Sequence, residues 1–180
     1  MSKDPERRSV RSYVKRGKIT PAQLRALEEL LPTYAIELSS TESTDFSKLQ
    51  SVAHSSRSHY LEIGFGNGSS LAYMASQYPD ARFTGIEVHR SGVGRLLIEL
   101  DKKEIGNVQI INHDAVEVLR DYQLPIKFDG IYLLFPDPWP KKRHHKRRIV
   151  TPEFALLMSL SLTAIFISPP TTSTMPMKFN

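Results

Sequence analysis

The stretch FPDPWPKKRHHKRR, residues 135–148, fixes one carboxylate, Asp137, between two prolines and follows it with eight consecutive Lys, Arg or His residues. Read alone, it fits a Pro-rich surface turn trailed by a solvated charge run equally well. Other residues change that balance. LEIGFGNGSS sets Gly64, Gly66 and Gly68 directly after the acid Glu62, RFTGIEV ends near Glu87, and VQIIN is followed by His113 and Asp114. Glycines in such a loop let the backbone turn tightly and approach a ligand with no Cβ in the way. A carboxylate beside the loop repels a phosphate and favours a cationic ligand. A single acid after a strand is most often a helix cap or a solvated loop residue. Four of them at successive strand ends form a constellation.

The elements that must position these acids alternate. Short apolar strands are expected at 58–64, 82–88, 108–112 and 128–135, and helices at 70–78, 93–103 and 115–122. Thr151-Pro152-Glu153 caps a last helix, 154–160. Strand–helix alternation with short connections predicts an α/β fold, a parallel sheet with right-handed crossovers and helices on both faces. Its carboxyl edge, where open α/β sheets bind ligands, then carries Glu62, Glu87, Asp114 and Asp137 together. Upstream, ITPAQLRALEELLPTY reads as a short amphipathic helix with Thr20 as N-cap, Pro21 at the first helical position and Gln23 at capping-box spacing, ended by Pro32.

Charge is distributed unevenly. The net charge is +5, yet residues 1–20 and 141–148 hold 13 of the 24 Lys and Arg and only 2 of the 19 acids. Two basic segments on an acidic body suggest a polyanion footprint, with nucleic acid as the partner. A solvated arm is the alternative for the first 18 residues. No window approaches the length of an apolar membrane span, and the basic amino terminus lacks the apolar core of a signal peptide. The chain has no cysteine, which fits a reducing cytoplasm and excludes thiolate metal sites; no His, Asp and Glu set has metal-ligand spacing. His113, His144 and His145 therefore read as polar neighbours.

The loop's G-x-G-x-G spacing differs from the G-x-G-x-x-G of dinucleotide folds. With Glu62 beside it, this favours S-adenosylmethionine, with its ammonium and sulfonium charges, over NAD. Glu87 suits the ribose hydroxyls, a device that NAD folds share, and Asp114 suits the adenine amine.

LEIGFGNG, GIEVH, HDA, FPDPWPKKRHHKRRIV and RSYVKRGKITPAQ together closely resemble the bacterial tRNA (guanine-N7-)-methyltransferase family, from about Arg11 to about Leu160. The resemblance implies a class I, Rossmann-like methyltransferase that modifies guanosine 46 in the tRNA variable loop. It implies S-adenosylmethionine contacts at Glu62, Gly64, Gly66, Gly68, Glu87, Asp114 and Asp137, with Asp137 also the active-site residue. Lys141 matches a substrate contact, and Arg143, His144, His145, Lys146, Arg147 and Arg148 match the RNA-contacting segment. On that reading Asp137 orients the base and offsets the charge that develops on the purine. Trp139 packs against the turn or stacks on a base, packing being favoured.

The resemblance stops near Leu160. The family continues with a Gly-Gly-like turn, a strand and an A-T-D-x-x-x-Y-A motif, whereas this chain reads SLTAIFISPPTTSTMPMKFN. A one-register shift of the codons permits A-T-D-N-[KQE]-[HY]-Y-A-[ND]-E, which suggests a frameshift near Ser161. The expected organisation is a basic helical extension and connector (1–56), an incomplete methyltransferase domain (57–160) and an aberrant tail (161–180). A fifth strand and the antiparallel closing strands are expected to be missing, leaving the fourth strand as a bare edge. Weak or absent methylation follows from the loss of the Ala-Thr-Asp aspartate. Two other readings stay open: a noncatalytic RNA-binding remnant, and an NAD-dependent oxidoreductase.

Overall fold

The computed structural model describes residues 18–36, 38, 58–121, 128–134, 143, 148–152, 154 and 165–168. In chain order the elements are α1 (Pro21–Glu29), α2 (Leu31–Tyr34), β1 (His59–Ile63), α3 (Ser69–Gln77), β2 (Arg82–Ile86), α4 (Arg90–Lys102), β3 (Val108–Ile111), α5 (Ala115–Asp121), β4 (Gly130–Leu134) and β5 (Ile165–Ser168). The strands form one sheet in the order β3-β2-β1-β4-β5, and every pairing is parallel. The order reverses between β1 and β4, the position at which doubly wound sheets open a crevice for ligands.

Both faces of the sheet are buried, and the two-residue period of the strands assigns each side chain to one of them. Leu61, Ile63, Ile86, Ile111, Ile131 and Leu133 pack with Val118 of α5 and with Phe128 and Phe154. On the other face Phe83, Val108, Ile110 and Tyr132 pack against Leu71, Met74, Leu96, Leu97 and Leu100 of α3 and α4, with Tyr60 at the margin. Glu62 alternates with Leu61 and Ile63 and therefore joins Tyr60 and Tyr132 on the α3–α4 face. At the amino edge His59 is buried: its Nε2 lies 2.8 Å from Thr84 Oγ1, and its backbone N–H donates to Asp129 Oδ2 at 2.7 Å. Burial, reinforced by the Arg82 charge and opposed by Asp129, holds its pKa down at about 4.

The amino-terminal helix is built as the residues dictate. Gln23 N–H donates to Thr20 Oγ1 at 3.3 Å, and Thr20 N–H donates to Gln23 Oε1 at 2.9 Å, so the capping box is complete. Ala26 and Leu27 enter the same apolar cluster as α4. Pro32 does not end this helix. The break falls at Leu30, and Pro32 sits in the first turn of α2, where a missing N–H costs no intrahelical bond. Ala35 then bridges to Ile110, with Ile36 N–H donating to Ile110 O at 2.9 Å. This segment covers the outer edge of β3.

The opposite edge corrects the expectation of a lost fifth strand. Ile165–Ser168 pairs in parallel with β4, matching Ile131 to Ile165 and Leu134 to Ser168, so β4 is not a bare edge. The run Ile-Phe-Ile has strong strand propensity, and an open parallel edge supplies its hydrogen-bond partners; the first proline of the tail, Pro169, comes only after it. Helix α4 also starts earlier than the expected 93, because Gly92 lies inside it. The expected last helix, 154–160, and most of the connector 37–56 lie outside the described residues. Thr151 does cap locally, its Oγ1 accepting from Phe154 N–H at 3.1 Å.

A Cβ at Gly94 would lie 2.8 Å from Gln23 O and 2.9 Å from Gln23 Cβ, so α1 can seat on α4 only over a glycine. Gly94→Ala is expected to destabilise the chain by about 1–3 kcal/mol, overpacking outweighing the helix-propensity gain of about 1 kcal/mol. Urea unfolding followed by circular dichroism measures the difference.

Candidate functional site

β1 ends beneath the glycine loop, and α3 leaves that loop at Ser69. Gly64, Gly66 and Gly68 have φ of 67°, 64° and 77°, the left-handed region that L side chains avoid. The loop is also crowded from behind: a Cβ on Gly92 of α4 would lie 2.0 Å from Gly66 O. The backbone of α4 thus supports the floor of the loop directly.

Glu62 is only 2% exposed, a rare position for a carboxylate. Ser70 Oγ donates to its Oε1 at 2.9 Å, while Oε2 is buried and has no hydrogen-bond partner among the described residues. A buried acceptor left in this state is costly unless a ligand satisfies it. Burial pushes the Glu62 pKa up to about 8, the Ser70 hydrogen bond opposing this and the neighbouring Glu87 adding to it. Tyr132, paired with Glu62 in the β1–β4 register, has its hydroxyl pKa raised, chiefly by burial.

Glu87 follows β2 and is 4% exposed. Its Oε2 accepts from Gly66 N–H at 2.8 Å and its Oε1 from His89 N–H at 2.9 Å, so the carboxylate braces the glycine loop against the start of α4. Asn112 Nδ2 donates to Glu87 O at 2.6 Å and ties the end of β3 to the end of β2. Asp114 Oδ1 accepts from Val116 N–H at 2.9 Å and Glu117 N–H at 3.2 Å, capping α5 and leaving Oδ2 outside those bonds. For Asp114 the bland cap reading and the ligand reading therefore coexist on different oxygens.

Glu62, Gly64, Gly66, Gly68, Glu87 and Asp114 thus gather at the carboxyl ends of β1, β2 and β3. Arg143 is exposed and Arg148 half-buried. Asp137, Trp139, Lys141, His144, His145, Lys146 and Arg147 lie outside the described residues. The sequence reading did not single out Ser70, Asn112 or Gly92. Ser70 falls in the first turn of the helix after the loop, on the turn facing back to β1, and that placement was the available signal. Among the described residues no group of three His, Asp or Glu is placed to hold a metal, and no helix is long and apolar enough to cross a membrane. A separate cavity of about 470 Å³, lined by Arg82, Lys103, Glu104 and Asn107, sits among residues at the amino ends of β2 and β3, away from the loop.

All-parallel order 3-2-1-4-5, a glycine loop after β1 and an acid after β2 define a Rossmann-like domain of the class I methyltransferase type. The comparisons with known proteins narrow this. A family described as "Putative methyltransferase" matches residues 56–164, and the chain belongs to that family. The tRNA (guanine-N(7)-)-methyltransferase of Alkalilimnicola ehrlichii is 45% identical over 159 residues, covering 87% of this chain and 65% of that protein. The protein of the same name from Nitrosococcus oceani is 45% identical over 152 residues, covering 84% of this chain and 63% of its own length. The chain thus spans somewhat less than two thirds of the length of these relatives. Among solved structures, coclaurine N-methyltransferase superposes with a TM-score of 0.48 at 14% identity over 73% of this chain and 39% of that one. The fold assignment rests on the strand order and not on that likeness.

The unfolded chain releases the Glu62 proton near 4.5, whereas the folded chain holds it to about 8. The stability this gives is complete below 4.5 and is lost as pH rises through 8. Glu62→Gln is expected to abolish that decline, a difference on the order of a few kcal/mol between pH 5 and pH 8. Urea unfolding of both proteins at the two pH values measures it.

Proposed function

We propose that this chain carries the cofactor half of an S-adenosylmethionine-dependent methyltransferase that acts on guanine N7 in tRNA, with position 46 of the variable loop as the target. The observation that carries the cofactor assignment is the unsatisfied Glu62 Oε2, buried at the switch point of the sheet beside the glycine loop. An acceptor that is starved of donors in a 2%-exposed site suits an ammonium group and opposes a pyrophosphate, which disfavours the NAD reading. The N7 target is supported by the names of the relatives, and tRNA as partner also by the two basic segments. Such a reaction places the protein in the cytoplasm.

The residues divide the work by charge. Glu62 meets the ligand ammonium, Glu87 accepts from ribose hydroxyls, and Asp114 Oδ2 is left for the adenine amine. When bound, S-adenosylmethionine supplies an electrophilic methyl group on a sulfonium. Guanine N7 has its own lone pair, so no side chain has to remove a proton to create the nucleophile. Catalysis is then positioning plus electrostatics. Asp137, held between Pro136 and Pro138, orients the base and offsets the positive charge that grows on the purine. Lys141 and the run from Arg143 to Arg148 grip phosphates, which gives affinity without sequence choice.

Methyl transfer from labelled S-adenosylmethionine to unmodified tRNA, with the modified base mapped, tests this. The chain is measured as written and with its tail restored to the shifted frame. Asp137→Ala is expected to lower transfer about 100-fold or more; undiminished transfer, or label at another atom, would refute the assignment. Binding of tRNA is expected to weaken steeply as salt rises from 50 to 200 mM, by about 10³-fold or more if six phosphates are contacted. Filter binding across that range reads the slope, and a flat response removes the basic run from the interface.

A further inference from the structure

Glu62 could be held in many ways, and the way chosen here leaves a specific atom unsatisfied. The carboxylate lies on the α3–α4 face of β1, in register with Gly85 of β2 on one side and Tyr132 of β4 on the other. Gly85 has no side chain to donate a hydrogen bond, and the Tyr132 ring lies in the apolar cluster. The donor comes instead from the first turn of α3, where Ser70 Oγ meets Oε1 at 2.9 Å. The partner oxygen, Oε2, is buried and has no donor among the described residues.

We propose that Ser70 is a positioning residue of the cofactor site, fixing the Glu62 carboxylate through Oε1 so that Oε2 is the one atom left to receive a ligand cation. The inference rests on the cofactor reading above and adds a role for a side chain outside the set of residues assigned to the ligand.

Two consequences separate this role from mere packing. Ser70 stabilises the ionised carboxylate, since a hydroxyl donor favours the charged form. Among the described residues the titratable groups that face Glu62 are Glu87 from the end of β2 and Tyr132 from β4, and neither donates positive charge. In the absence of ligand the site therefore takes up a proton, and an incoming ammonium must displace it. Ligand binding becomes a cation-for-proton exchange, and Ser70 sets the pH at which that exchange is easy.

The test uses S-adenosylhomocysteine, which has the ammonium but no sulfonium and does not react. Titration calorimetry between pH 6 and pH 8.5, in two buffers of different ionisation enthalpy, gives affinity and proton release for the parent chain, Ser70→Ala, Ser70→Thr and Glu62→Gln. The ligand's own ammonium titrates identically against all four, so the differences between variants carry the result. Ser70→Ala is expected to bind about tenfold more weakly at pH 7 and to move the inflection in affinity upward by about one pH unit, as loss of a hydrogen bond to a charged group requires. Ser70→Thr, which keeps the hydroxyl, is expected to restore both, and Glu62→Gln to remove the proton release. If Ser70→Ala is uniformly weaker with no shift of the inflection, its role is structural and the proposal falls. If it binds like the parent, the proposal falls while the cofactor reading stands. If the parent binds no S-adenosylhomocysteine, both fall together. Should Ser70→Ala not fold, Ser70→Cys, a weaker donor of similar size, must give a smaller shift in the same direction, and no shift overturns the proposal.

Discussion

The structure depends on a carboxylate buried without a full set of partners. Glu62 lies within a parallel strand between Leu61 and Ile63, and taking a charge out of water there is expensive. The sheet accepts that cost at the crevice where the strand order turns back on itself. Every nearby feature follows from keeping that place open: a loop of glycines in left-handed conformations, a helix that presents Gly92 to the loop backbone, and a second acid, Glu87, that fastens the loop to the next strand. A local defect in satisfaction, surrounded by a well-packed frame, is how a protein prepares a position for something it does not itself contain.

Much of this was legible in the residues. Short apolar runs alternating with helical stretches located the strands, and the acids at their ends mapped to one edge because parallel strands all point the same way. The capping box at Thr20 and Gln23 was readable as local chemistry, and the structure shows both of its bonds. What could not be read was set by contacts between distant segments. Pro32 looked like a terminator because its effect depends on whether it falls inside a helix or in the first turn of a new one. Gly92 was left outside the expected helix, whereas close packing against Gly66 places a glycine within its first turn. The division of labour within each carboxylate, with Glu87 bracing a loop and Asp114 capping a helix, has no signature in spacing.

The tail is the most instructive mismatch. A fifth strand was expected to be missing because the family resemblance stops near Leu160, and Pro169 and Pro170 soon follow. Four residues ahead of them nevertheless pair along β4. Strand formation at an exposed parallel edge asks little beyond a short run of branched or aromatic residues in the right place, so an edge can recruit a segment that the sequence pattern as a whole disowns.

β3 and β4 are each flanked by a segment outside residues 56–164, the stretch that matches the methyltransferase family. Ala35 and Ile36 line β3 on one side, and Ile165–Ser168 lines β4 on the other. A chain trimmed to 56–164 would lose both pairings and offer the sides of β3 and β4 as open edges to which strands of other molecules can add.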